Sequence, residues 1–373
     1  MSAAKLERLG PRALNRALLA RQLLLRRSAL PVPKAIEHLV ALQAQNPKSP
    51  YFALWSRLIG FRPELLGGLV AERKAVRAVL MRSTLHLATA RDCLRLCPSL
   101  VPVLERNLYT GSPYGRRIRG VDVKRLLAVA RGLVEARPRT LSELRKLLVE
   151  QWPQHDATSL AYAVHNLLPM VQVPPRGVWG QSGQAAWTTV EAWLGKPLKR
   201  RVSVEALFLR YLAAFGPASA RDLQQWSGLN GVREVAERLR PKLRAFRDDD
   251  GIELLDLPGA PRPSPETPAP VRFLPDFDNV FLSHADRTRI ITGEDARRFR
   301  KPGNVAAPGM VLIDGFIRAT WTLQQERAKT TLFVAPFSRP SKADCRGVIE
   351  EGERLLAFAA ANLAGDVRFV SGK

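Results

Sequence analysis

The sequence predicts an α+β fold of three tandem helix–hairpin units followed by a mostly β region. Two observations carry this. Three times within residues 12–257, apolar residues at helical spacing give way to alternating apolar and polar residues around a tight turn. A Pro-rich stretch, "LPGAPRPSPETPAP" (257–270), then separates these units from strands and hairpin signals. Helices followed by a two-stranded wing give the order of a winged helix. The expected organisation is 1–120, 121–201 and 202–257 as three winged-helix units, 258–270 as linker, and 271–373 as a β-rich region with a terminal helix.

The elements follow in order. Residues 13–30 set Leu18, Leu19, Leu23 and Leu25 among arginines, predicting an amphipathic helix with a basic face that Pro31 and Pro33 break. A second helix is expected from Lys34 to about Gln43, with Ile36, Leu39, Val40 and Gln43 on one stripe. "SPYFALWSRLIG" is a third apolar run, and "AVRAVLMRSTLHLATARD" (75–92) alternates around Arg82-Ser83 as two strands and a turn. In the second unit, "TLSELRKLLVEQWP" and "DATSLAYAVHNLLP" are helical, and Thr140 with Glu143 makes a capping box. "MVQVPPRGVWG" reads as strand, Pro-Pro-Arg-Gly turn, strand. In the third, a helix ends at Gly216-Pro217, Ser219 caps the next and Gly228 stops it. "NGVREVAERLRPKL" is a further helix, leading to the Asp-Gly hairpin of "LRAFRDDDGIELLDL". Beyond the linker, "MVLIDGFIRATWTL" carries a second hairpin signal, Asp314-Gly315, and "DCRGVIEEGERLLAFAAANL" is the closing helix.

Charge narrows the function. The 373 residues carry 58 Lys+Arg against 34 Asp+Glu, a net +24, which favours a polyanion and above all a nucleic-acid backbone. Three cysteines are too few for a disulfide framework and suit a reducing cytoplasm. Cys93 and Cys97 have no partners at finger spacing, and the five histidines form no ligand set, so no metal is expected. The Asp248–Gly251 loop lacks the late Glu of a calcium site, and "GVWGQSGQAAW" fits no dinucleotide or phosphate loop. Neither His-Glu-x-x-His nor Gly-x-Ser-x-Gly occurs. The N-terminal stretch has no uninterrupted apolar core, and no segment has the ~18 apolar residues of a membrane span. We expect a cytoplasmic protein without cofactor, bound to nucleic acid and not to membrane.

One stretch resists this bland reading. In "LVALQAQNPKSPYFALWSR" (39–57), Gln43 and Gln45 stand where a helical pattern meets Asn46-Pro47. Such a pair alone is weak, because a glutamine at a helix end is usually a solvated amide. Gln43, however, falls on an apolar stripe, where an amide needs partners. In an ideal helix the two side chains would lie about 200° apart. The pre-proline bias at Asn46 ends the helix, so both amides can face one cavity.

Together with "LMRSTLHLATARD", "GVWGQSGQAAWTTVEAWLG", "YLAAFGPASARDLQQWSGL" and "FLPDFDNVFLSHADR", in order over nearly the whole chain, this stretch resembles the AlkZ-like winged-helix DNA glycosylases. The resemblance implies a nucleoid-associated monomer with three winged helices around double-stranded DNA, and hydrolytic removal of N-alkylated purines, including bulky genotoxin adducts and crosslinks. It implies Gln43 and Gln45, matching the family's Gln-x-Gln, as the catalytic pair, and places the chain apart from a Gln-x-Asp branch. Arg82, Thr84 and His86, and Asp278, Asn279, His284 and Arg287, match two further landmarks. They are candidate DNA contacts, as is Arg318 in the Asp314-Gly315 hairpin; a structural role explains each nearly as well. The chemistry agrees. A purine alkylated at N7 already carries the positive charge that makes it a good leaving group, so two amides that orient a water suffice. With Lys48 the sole lysine near the pair, a monofunctional mechanism is expected rather than a Schiff-base lyase. The alternative is a winged-helix regulator without catalysis, since fold does not fix function.

Overall fold

A computed structural model describes residues 6–199, 201–299, 307–360 and 363–370. Residues 1–5 of the N-terminal stretch, and Ala361 and Asn362 of the expected closing helix, lie outside them. In the first unit, α1 (Pro11–Arg21) opens on a proline, whose missing N–H is unneeded there. It ends well short of residue 30, and Leu23 turns left-handed (φ 59°). Its arginines do not form the expected basic face: Arg16 and Arg21 are buried, paired with Asp314 at 2.5 Å and Asp256 at 2.6 Å.

Helix α2 (Val32–His38) also stops early, and a left-handed Val40 (φ 69°) releases the chain into the two-residue strand β1 (Leu42–Gln43). Gln43 therefore sits on a strand and not on a helical stripe. The unit continues with α3 (Ser49–Arg57), α4 (Pro63–Ala71) and the hairpin of β2 (Ala75–Val79) and β3 (Leu85–Thr89). As expected, the hairpin turns around Arg82-Ser83, both left-handed at φ 55°. Helix α5 (Ala90–Tyr109) follows despite its internal Pro98 and Pro102.

The second stretch holds α6 (Tyr114–Arg117), α7 (Val123–Ala136), β4 (Arg139–Thr140), α8 (Leu141–Gln151), α9 (Ala157–Leu167), β5 (Met170–Gln172), β6 (Ala186–Thr189) and α10 (Val190–Leu194). The Thr140–Glu143 capping box is present. The second strand of its hairpin is β6, not the expected "GVWG", which instead lies in the loop before it. The third stretch matches its expectation: α11 (Val204–Phe215), α12 (Ala220–Ser227), α13 (Val232–Leu239), β7 (Arg244–Arg247) and β8 (Glu253–Asp256). Ser219 caps α12 and a left-handed Gly228 ends it. The first two hairpins share one six-stranded sheet, order β1-β3-β2-β5-β6-β4, joined where Arg77 pairs with Gln172.

The final region contains β9 (Arg272–Leu274), α14 (Asn279–Leu282), α15 (Gly293–Arg298), β10 (Gly309–Ile313), β11 (Phe316–Gln325), β12 (Lys329–Pro336), α16 (Lys342–Ala359) and β13 (Ala364–Phe369). Its sheet runs β13-β12-β11-β10-β9. The helix is thus not terminal: β13 follows it and returns parallel to β12. The Pro-rich stretch lies against α1, where Pro261, Pro265 and Thr267 carbonyls accept from Arg21, Arg12 and Arg16. Every residue of α3 is buried, and its Tyr51, Phe52 and Leu54 share a core with Phe273, Val311 and Trp321 of the last sheet. The fold as a whole is mixed α and β.

Candidate active site

Strand β1 lies at the edge of the six-stranded sheet and pairs only with β3, Gln43 opposite His86. The pairing continues one residue further, where Ala44 N–H donates to Leu85 O at 2.8 Å. The Ala44 carbonyl in turn accepts from buried Arg77 at 2.7 Å, whose other amine reaches Gln172. Burial lowers the Arg77 pKa to about 10, with the Arg176 charge adding to the effect. Gly177 (φ +96°) leaves Arg77 its room, since a Cβ there would stand 2.7 Å from Arg77 Cδ. Gln43 ends the strand and Gln45 follows it in a bend, so the two flank Ala44 at the point where the chain leaves the sheet. Gln43 is buried, whereas Gln45 is exposed on the bend before α3.

The orientation of the Gln43 amide is fixed by chemistry. Arg82 donates to Gln43 Oε1 at 2.8 Å, and a guanidinium has no acceptor, so the carbonyl must face it. Thr84 Oγ1 lies at 3.5 Å from the same oxygen. Gln43 Nε2 makes no hydrogen bond to a described residue and is the free end of the amide. Arg82 also donates to Trp226 O at 2.5 Å, tying the first hairpin to α12.

Arg82 has no carboxylate partner among the described residues. Burial, then the nearby Arg287 charge, lowers its pKa to about 10. Arg287 also lacks a carboxylate there and lies over the Phe281 ring at 4.3 Å. Two guanidinium groups that feel each other's charge, with no carboxylate partner among the described residues, favour an anion nearby. Bordering Arg82 is an open trough of about 770 Å3 lined by Arg106, Arg221, Gln224, Gln225 and others, with no acidic residue among them. A second cavity of about 440 Å3 near α13 mixes Asp222, Glu237, Asp248, Glu253 and Asp286 with Arg221, Arg233, Arg240 and Arg289, and so lacks the acid-free lining of the trough.

The remaining expected contacts fall elsewhere. His86 is fully buried, its Nδ1 on Thr84 O at 2.9 Å, and burial lowers its pKa to about 3. Asp278 is buried and forks onto Arg57 at 2.8 and 2.9 Å. Asn279 donates to Ala41 O at 2.8 Å, and His284 meets Phe215 O at 3.0 Å, both buried. All four groups are buried and bonded within the protein, although His86 Nε2 and Asn279 Oδ1 have no hydrogen-bond partner among the described residues. The Asp314-Gly315 tip is docked on α1, where the Asp314 and Gly315 carbonyls accept from Arg16 and Asn15. It is thus no free probe. Arg318 pairs with Asp295 at 2.6 Å. Arg77, Ser49 and Asp276 carry no signal in the sequence that singles them out. Ser49 donates to Asp276, which lies two residues before Asp278 in "LPDFDN".

A model of the family "DNA glycosylase AlkZ-like" matches residues 36–358. None of the curated proteins compared with the chain matches it. Among solved structures, the DNA glycosylase AlkZ of Streptomyces sahachiroi is similar, with a TM-score of 0.78 at 19% identity. The alignment covers 97% of this chain and 100% of that one, a likeness of fold.

Proposed function

Since the chain belongs to the AlkZ-like DNA glycosylase family, we propose that it hydrolyses the N-glycosidic bond of N7-alkylated purines in double-stranded DNA through Gln43 and Gln45. Membership decides for an enzyme acting on DNA over a non-catalytic regulator. The finer reading rests on one observation: Gln43 is buried and pinned by Arg82 beside an acid-free, arginine-lined trough. The three helix–hairpin stretches are the three winged helices of this reading.

The two glutamines then divide the work. Arg82 occupies one lone pair of the Gln43 carbonyl and polarises the amide, so Nε2 is the better donor, aimed at a sugar or phosphate oxygen. Exposed Gln45 accepts from the attacking water and orients it toward C1′. The lesion supplies the leaving-group charge, so the gain lies in placement and electrostatic preorganisation rather than in acid catalysis. Undamaged purines, whose bases leave as anions, are poor substrates in this scheme. Arg82 and Arg287 hold a phosphate, and Arg106 and Arg221 extend the track. Exposed Lys48 lies 5.8 Å over the Trp179 ring, which supports a monofunctional hydrolase. The open trough accommodates bulky adducts, and crosslinks among them, read in place by a monomer in repair or self-resistance.

The test is release of 7-methylguanine from methylated duplex. The wild type releases it, and Gln43→Ala/Gln45→Ala loses on the order of 100-fold or more in rate with DNA affinity kept. Equal rates in the two proteins would sink the assignment.

A further inference from the structure

The strand that carries the glutamine pair has little to hold it. It is two residues long, has one neighbour, and leads into an exposed bend at Gln45-Asn46. An edge strand of that length does not fix its own end to the tolerance that water placement requires. The fixing groups come from the far end of the chain, in the turn after β9.

Asp276 accepts from Ser49 Oγ at the start of α3, and the Asn46 side chain is near enough to lower the Asp276 pKa. The Asn46 carbonyl oxygen already receives Lys48 N–H at 3.0 Å, which leaves its NH2 for that carboxylate. One carboxylate therefore anchors the start of α3 and faces the bend directly after Gln45. Three residues on, Asn279 donates to Ala41 O at 2.8 Å, two residues before Gln43. Between them Asp278 grips Arg57, at the other end of α3. The turn 276–279 thus touches the chain just before the pair, just after it, and at both ends of the next helix. Asp276 is half-buried, and burial raises its pKa while Ser49 and Asn46 lower it.

We propose that Asp276 is a positioning residue for the glycosylase, a hydrogen-bond clamp from the C-terminal region that holds Gln45 in register with Gln43. This rests on the reading of Gln43 and Gln45 as the catalytic pair. The role needs acceptor oxygen, not negative charge. Asp276→Asn keeps an oxygen for Ser49 and Asn46, and Asp276→Ala removes both acceptors.

Two measurements on the full chain test it. In single-turnover release of 7-methylguanine, Asp276→Ala is about tenfold slower or worse, its duplex Kd stays within about twofold of wild type, and Asp276→Asn recovers most of the rate. In hydrogen exchange, the segment 42–49 exchanges faster in Asp276→Ala and stays protected in Asp276→Asn. Wild-type rate and protection in Asp276→Ala would overturn the clamp. So would an Asp276→Asn protein as slow as Asp276→Ala, because the charge itself would then be at work. A wild type that releases no base defeats the catalytic reading alone, and the exchange data still decide the clamp. Should Asp276→Ala not fold, Ser49→Ala removes the donor that Asp276 holds at the start of α3 and carries the same expectations, half as strongly.

Discussion

At the scale of single residues, the molecule keeps polar side chains inside and uses them to fix backbone. Arg57 with Asp278 and Arg21 with Asp256 are fully desolvated pairs with forked geometry, the kind that is costly to break from one side. His86 is a buried neutral imidazole, lowered from 6.5 to about 3. The folded state refuses a proton that the unfolded chain accepts below about 6.5. Stability therefore falls as pH drops from 6.5 toward 3 and rises in the opposite direction. One such group contributes a slope of about 1.4 kcal/mol per pH unit. In urea titrations at pH 7, 6, 5 and 4.5, His86→Leu has a shallower pH dependence than wild type, whatever its midpoint at pH 7. An unchanged slope would mean that His86 ionises freely in the fold. The glutamine pair stands out in the sequence through its match to a family motif, whereas the helical stripe expected around Gln43 is a strand in the fold. Asp276 does not stand out, because an aspartate in a Pro-flanked turn looks like ordinary solvated chemistry.

At the scale of elements, local signals with short-range causes were read correctly. The Thr140 and Ser219 capping boxes, the Gly228 stop and the Asp-Gly hairpin of β7 and β8 all depend on residues within four positions of each other. Elements that depend on distant packing were not. Helix α5 tolerates Pro98 and Pro102 because its other faces bury Leu94, Leu96, Leu100 and Leu104, so tertiary contacts outweigh two lost hydrogen bonds. Strand β13 has a mostly exposed pattern and exists through its ladder with β12. The Asp314-Gly315 turn was recognised as a turn, but its partner, α1, lies 300 positions away in the chain. That docking carries a prediction. A Cβ on Gly315, which has φ +83°, would meet Asn15 Oδ1 at 2.4 Å. Gly315→Ala should destabilise the protein by roughly 1–3 kcal/mol in chemical denaturation, where Gly259→Ala, with nothing within 4 Å, should be near neutral.

At the scale of the whole molecule, a net charge of +24 meets a trough free of carboxylates. Binding to undamaged duplex should therefore weaken steeply with salt, the log–log slope being about −0.9 for each phosphate neutralised. Arg221→Gln, at the trough and away from the glutamines, should flatten that slope by roughly one phosphate without changing the rate on saturating methylated DNA. A slope equal to wild type would remove Arg221 from the DNA path. The positive charge was legible from composition alone. Its placement was not, because many arginines, such as Arg16, Arg21, Arg57 and Arg77, are buried inside the fold.

The sheet shared by the first two hairpins has a mechanical meaning. Strands β2 and β5 belong to different helical units, yet they are bonded edge to edge, with Arg77 opposite Gln172 and Ala78 opposite Val171. A hinge between those units would have to break that ladder, so they cannot open and close around a duplex like jaws. The framework is stiff at this sheet, so on the reading proposed above the fitting would fall to the duplex. A lesion that loosens stacking would lower the cost of that deformation, and the stiffness of the protein would then register how soft the DNA is.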